Sequence, residues 1–186
     1  MSITREKILE LGEFFIQTKG YNAFSYNDIS KELGVKNAAI HYYFPTKASL
    51  GISILKNNIL RFEEMTRNME ILKHNESQKL ESFIKIYVKS NREHKICLIG
   101  SLGSDYITLD GSVQKELTKM TDLIASWLSE VLETGREKGL FQFKGTAHSR
   151  ALLLLSNLMG ALQLAWITNK NTFKTIHTTI LEELYI

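Results

Sequence analysis

One proline and one cysteine in 186 residues set the first limits on this chain. Proline removes a helix N–H and clashes with the preceding turn, so a sequence whose only one is Pro45 leaves room for long helices. The lone cysteine, Cys97, excludes an intramolecular disulfide, and no metal-type spacing surrounds it, which fits a reducing cytoplasm and implies no metal site. The amino-terminal stretch MSITREKILELGEFF lacks a long apolar run behind basic residues, so it does not read as a signal peptide. Strong charge is also missing: the formal net charge is +3, and the whole-molecule field is a weak argument for nucleic acid. Catalytic signatures are absent as well, with no serine triad pattern, HExxH, phosphate loop or CxxC pair, so no enzyme is expected.

What is present is helical patterning. No stretch alternates cleanly with period two, and the 44% hydrophobic and 23% charged fractions are ordinary for a globular protein. Thr4 is expected to cap a first helix carrying Ile8, Leu11 and Phe15 on one side and closed by Gly20. Thr46 is expected to cap a long helix from Lys47 to about Asn68. Leu80, Phe83, Ile84 and Tyr87 form the stripe of another, and Cys97–Leu109 reads as a short one rich in glycine and serine. Val113, Leu117, Met120, Ile124, Trp127 and Val131 recur at helical spacing, ending near Gly135 and Gly139. His148–Asn169 and Thr172–Leu184 complete an all-α chain of about nine helices. Ala151–Asn169 carries no charge, yet it contains Ser156, Asn157, Gly160 and Gln163. A helix that is apolar nearly all round is also what a protein interior contains, so burial rather than a membrane is expected.

Ser25–Lys47 is the most informative segment. Ser25 followed by Asp28 makes a capping-box-like start, Ile29 and Leu33 share one face, and Gly34 supplies the left-handed residue that ends a helix. In the next helix Ile40 and Phe44 share a face, while Ala38, His41 and Tyr42 point roughly the opposite way. Pro45 stops it. From Gly34 to Lys47 there is no acidic residue, only Lys36, Lys47 and His41. Two short helices around a tight turn, with an uncharged-to-basic outer face, read as a helix-turn-helix that enters the major groove of duplex DNA.

Gly20-Tyr21, Ser25, Asp28-Ile29-Ser30, Leu33-Gly34-Val35, Tyr43-Phe44 and Lys47 resemble the amino-terminal domain of TetR (tetracycline repressor) family regulators over roughly residues 4 to 55. The sequence departs from the family pattern at Lys36, where Ser or Thr is usual, at Ala38 for a common Gly and at His41 for a common Tyr. The resemblance implies a three-helix DNA-binding domain over residues 1–48. It also implies a roughly six-helix effector-binding and dimerisation domain over residues 49–186. The function it implies is a dimeric, cytoplasmic, nucleoid-associated regulator, most simply a repressor released from a pseudo-palindromic operator by a small-molecule effector. A ligand-independent activator and a small enzyme or thiol redox sensor using Cys97 remain as alternatives.

Expected DNA contacts follow from residue chemistry. Asn37 suits bidentate contact with adenine, Ala38 and Ala39 offer methyl groups to thymine, and His41 and Tyr42 reach base edges or phosphate. Lys36 adds charge at the groove entry, and Ser25 and Tyr26 sit at a helix amino terminus where backbone N–H groups hold phosphate. Lys47 looks like the family's phosphate-binding lysine. For dimerisation, the small residues Ser156 and Gly160 allow close approach. Leu152, Leu155, Met159, Leu162, Ile176 and Ile180 supply apolar area. In a TetR-like fold the effector wall would draw on Leu102, Tyr106, Trp127, Met159 and Trp166. The glycines of Cys97–Leu109, each costing about 1 kcal/mol relative to alanine, suggest either an element that shifts on ligand binding or simple close packing.

Overall fold

The computed structural model describes residues 5–185, so the expected Thr4 cap lies outside the described residues. Among them the chain forms nine α-helices, one 3-10 turn and no strand, only an isolated bridge between Phe141 and Tyr185. They divide into two compact units, the first running to Arg61 and resuming over Leu98–Met120, the second comprising Phe62–Cys97 and the residues from Thr121 onward.

The first unit contains α1 (Arg5–Lys19), α2 (Tyr26–Leu33), α3 (Asn37–Tyr43), the start of α4 (Lys47–Ile71), α6 (Leu98–Ser104), the 3-10 turn Tyr106–Thr108 and the start of α7 (Gly111–Glu137). Its core is Ile8, Phe15, Ile16, Ile29, Ile40, Phe44, Leu50 and Ile54, all nearly inaccessible. These recur at helical spacing on each element, which is why the helices meet along those faces. The Gly-Ser-rich segment is shorter than the sequence suggests: α6 stops at Ser104, where Asp105 begins the 3-10 turn. It packs on α1, and the buried Ser101 hydroxyl donates to the Ile16 carbonyl. Asn22 links the same segment to the α1–α2 loop. Its side-chain amide donates to Asp105 Oδ1 at 2.9 Å and to Thr108 Oγ1 at 2.7 Å, and its backbone N–H reaches Asp105 Oδ2 at 3.2 Å.

The second unit holds the end of α4, α5 (Glu76–Arg92), most of α7, α8 (Ala147–Ile167) and α9 (Lys170–Leu184), with α8 packed on both α5 and α9. Asn75 caps α5 by accepting from the Gln78 N–H at 3.0 Å, and the Gln78 side chain accepts in return from the Asn75 N–H at 2.9 Å. Among the described residues one helix, Ala147–Ile167, is long and apolar enough to cross a membrane by length and composition. One side of it (Ala151, Leu154, Leu155, Leu158, Ala161, Leu162, Ala165) is buried in the unit's core.

Glu76 is the charged group most deeply buried in this unit. Its two carboxylate oxygens each accept from Lys138 Nζ at 3.0 Å, and Lys79 lies 3.9 Å away. Burial pushes this carboxyl up, but the Lys138 hydrogen bond and charge outweigh it and hold the group below its ordinary range. A folded value below the unfolded one stabilises the protein above the unfolded value, and that gain is lost as pH falls through the folded value. Lys138→Met is therefore expected to cost about 1–3 kcal/mol at neutral pH, because Glu76 then keeps only a backbone hydrogen bond and the distant Lys79. The cost should shrink in acid. Urea unfolding at neutral and acidic pH measures it, and an equal cost at both would contradict the pairing.

Candidate nucleic-acid interface

Local signals build the helix-turn-helix. The Asp28 carboxylate accepts from the Ser25 N–H at 2.7 Å and its hydroxyl at 2.6 Å, and these hydrogen bonds hold the carboxyl below its usual range. Gly34 takes φ +66°, which lets the Val35 N–H turn back to the Ser30 carbonyl at 2.9 Å. Phe44 leaves the helix in an extended conformation ahead of Pro45, as a residue before proline must. Thr46 then caps α4 by accepting from the Ser49 N–H at 3.0 Å. Ile29, Ile40 and Phe44, at 0%, 0% and 1% exposure, fix how α2 and α3 turn about their axes.

With that face inward, Lys36, Asn37, Ala38, His41 and Tyr42 are exposed, Tyr42 to 82%, while Ala39 and Tyr43 are half-buried. Ser25 is exposed at the start of α2. Two of the side chains are turned inward instead. The Tyr26 side chain is buried, and its hydroxyl donates between the carbonyls of Phe44 (2.9 Å) and Thr46 (2.6 Å), leaving only its backbone N–H for a phosphate. Burial pushes that hydroxyl up to about 12, with a Ser49 hydrogen bond working the other way. Lys47 donates to the Phe24 carbonyl, and its ammonium lies 4.3 Å from the Phe24 ring centroid and 4.7 Å from that of Tyr21. Burial lowers the Lys47 amine, while Asp105 and Asp28 pull it back up. A phosphate contact from Lys47 requires it to leave this cradle. Both side chains thus act as internal braces here, and Tyr26 keeps the backbone N–H through which the α2 amino terminus was expected to hold phosphate.

Elsewhere the structure redistributes the expected residues. On α8, Leu155 is 4% exposed and Leu162 fully buried, so these two belong to the chain's own core and not to a dimer surface. Leu152 and Ser156 are exposed, and Met159, Gly160, Ile176 and Ile180 are half-buried. Leu153, Leu164, Trp166 and Ile167 also face outward, and the sequence reading missed Leu153, Leu164 and Ile167. The five expected effector-wall residues do not share a unit. Leu102, fully buried, and Tyr106, exposed, are in the first, whereas Trp127, Met159 and Trp166 are in the second. Trp127 joins an aromatic cluster, 5.4 Å from the Phe62 ring and 5.8 Å from Phe83, which itself lies 5.4 Å from Tyr87. An open groove of about 590 Å³ in the second unit is lined by Ser126, Ser129, Glu130, Glu133, Thr134, Glu137, Ala147 and His148, none of them an expected wall residue. Cys97 is half-buried, close enough to the buried Tyr87 hydroxyl to act with burial in pushing it far up.

Residues 8–53 match the family model for bacterial regulatory proteins of the tetR family. The chain is 23% identical over 164 residues to the HTH-type transcriptional repressor NemR of Escherichia coli K12, covering 85% of this chain and 81% of NemR. A TetR-family transcriptional regulator from Agrobacterium tumefaciens superposes with a TM-score of 0.90 at 28% identity, covering 98% of this chain and 97% of that one. A TetR regulator from Legionella pneumophila does so with a TM-score of 0.83 at 29% identity, over 99% and 98% of the two chains.

Proposed function

The chain belongs to the TetR family of bacterial transcriptional regulators, and from that premise we propose that it is a homodimeric repressor which a small-molecule effector releases from a pseudo-palindromic operator. The single observation that carries the DNA-binding reading is the outward face of α3, where Asn37, Ala38, His41 and Tyr42 stand clear of the core on a helix without an acidic residue. Asn37 reads adenine with its paired donor and acceptor, Ala38 rests on a thymine methyl, and Lys36 and the α2 amino terminus meet phosphate. One helix of seven residues touches few bases, so two copies on a two-fold axis, spaced about 34–36 Å or a multiple, are needed for tight binding.

The dimer reading is supported by α8. Leu153, Gly160, Leu164 and Ile167 fall along one side of the helix, and the three large ones are 46–80% exposed. A contiguous apolar stripe of this kind normally meets a partner, and Gly160 lets a second helix come close. The repressor would work on cytoplasmic, nucleoid-associated DNA. Its effector would be read in the second unit, where Trp127, Phe62 and Phe83 offer an apolar, aromatic wall. An effector that binds better to a dimer with a different helix spacing shifts the population away from the operator-competent form.

Fluorescence anisotropy with duplexes from the chain's own promoter, at two salt concentrations against random DNA, tests the reading. Asn37→Ala is expected to weaken operator binding about 5- to 150-fold, the equivalent of one bidentate base contact, and to leave random-DNA binding unchanged. Equal affinity of the wild type for promoter and random DNA at matched salt would defeat the operator claim.

A further inference from the structure

His41 is held more tightly than an exposed residue on a short helix needs to be. Its Nδ1 lies 3.2 Å from the Pro45 carbonyl, and its ring meets that of Tyr26 edge-on, with centroids 4.8 Å apart and planes at 66°. Tyr26 is itself fixed, buried and tied by its hydroxyl to the carbonyls of Phe44 and Thr46. The imidazole therefore has one nitrogen and one ring contact engaged by its own chain, while His41 as a whole is exposed, like Asn37 and Tyr42, on the outer face of α3.

A carbonyl oxygen only accepts, so the proton of the neutral ring must sit on Nδ1. That leaves Nε2, on the far side of the ring, with a lone pair and no hydrogen. A neutral His41 thus presents an acceptor, not a donor. An acceptor is repelled by phosphate oxygens and by the N7 and O6 of guanine. In the major groove its complement is an exocyclic amine, the N6 amine of adenine or the N4 amine of cytosine. A phosphate contact would require a cationic imidazolium, with protons on both nitrogens.

We propose that His41 is a specificity-determining residue that accepts a hydrogen bond at Nε2 from an exocyclic base amine in each half-site, with Tyr26 and Pro45 fixing its orientation. This rests on the operator-binding reading of α3 and sharpens it: the side chain selects between the amine and keto edges of one base pair and adds nothing to phosphate affinity. It also gives the buried Tyr26 side chain a task, positioning the base reader.

Site selection from a randomised duplex library, with wild type and His41→Ala, locates the position. The wild type is expected to enrich an oriented half-site, and the variant to lose its preference at one base pair while keeping the others. Analogues in the wild-type duplex then test the chemistry at that pair. Removing the amine, with nebularine for adenine or 2-pyrimidinone for cytosine, should weaken wild-type binding at least about fivefold. A 7-deazapurine in the same pair, which removes only N7, should leave it unchanged. The proposal is overturned if the deaza analogue costs affinity and amine removal does not, or if His41→Ala weakens every sequence alike, as a phosphate contact would. An unchanged preference at every position would overturn it too. If the wild type enriches no sequence at all, the operator-binding reading fails along with it. If the wild type enriches a site without this analogue pattern, only the His41 assignment fails.

Discussion

Gly160→Glu is expected to leave each subunit folded and to abolish operator binding at working concentrations. A Cβ added at Gly160 meets no side chain or neighbouring element within 4 Å, so a side chain can start there without a clash in the subunit. Replacing an interior helical glycine even gains about 0.5–1 kcal/mol of helix propensity. The residue sits at the middle of the outward stripe of Leu153, Leu164 and Ile167, where two carboxylates would face each other across a two-fold axis. Linking two reading heads multiplies affinity about 10²- to 10⁴-fold over one, and a monomer forfeits that factor. Sedimentation velocity should show one subunit where the wild type shows two, with circular dichroism unchanged. A dimeric Gly160→Glu protein with normal operator affinity would move the partner surface away from α8.

The largest stability effect is expected from Gly135→Ala. A Cβ there would fall 2.2 Å from Cδ2 and 2.3 Å from Cε2 of Phe141. The ring cannot retreat, because it is 1% exposed and packs against Tyr185 at a centroid distance of 5.4 Å. The backbone is equally committed: the Leu140 N–H returns to the Gly135 carbonyl at 2.8 Å as the chain leaves α7. Overpacking usually costs about 1–3 kcal/mol and sometimes more, and this overlap belongs at the upper end. At about 2–4 °C per kcal/mol for a chain of this size, the midpoint should fall about 6–12 °C. Gly103→Ala is the control, since its Cβ meets nothing within 4 Å and should be neutral or slightly stabilising. A Gly135→Ala midpoint within a degree or two of wild type would mean that Phe141 does not pack as described.

The helix-turn-helix was legible because its signals are local. Ser25 with Asp28, Gly34 and Pro45 each act within a few residues, and the inward side of α3 follows from Ile40 and Phe44 alone. The internal bracing by the Tyr26 and Lys47 side chains was not legible, because what holds them is distant in sequence: Tyr26 reaches carbonyls 18 and 20 residues on, and Lys47 a carbonyl 23 residues back. A lysine whose stem and charge are satisfied by two aromatic rings cannot be told from a solvated one by its neighbours. On α8 the difficulty was phase. A helix that is apolar on every side has no preferred face until its partners are known. Packing on α5 and α9 turned Leu155 and Leu162 inward and left Leu153 and Leu164 outside. The split of Leu102 and Tyr106 from Trp127, Met159 and Trp166 had no periodic signal either, since it arises from the chain returning to its first unit after α5.

That return has a consequence for biosynthesis. The amino-terminal helices keep the Ile16 carbonyl and the Asn22 amide for Ser101, Asp105 and Thr108, so a nascent chain that has just emerged through Arg61 cannot finish them. At about 5–20 residues per second, the ribosome needs roughly 3–12 s more to deliver the segment ending at Met120. For that interval the DNA-contacting surface exists without its last brace. A fragment cut after Arg61 would lack the same partners, Ser101, Asp105 and Thr108.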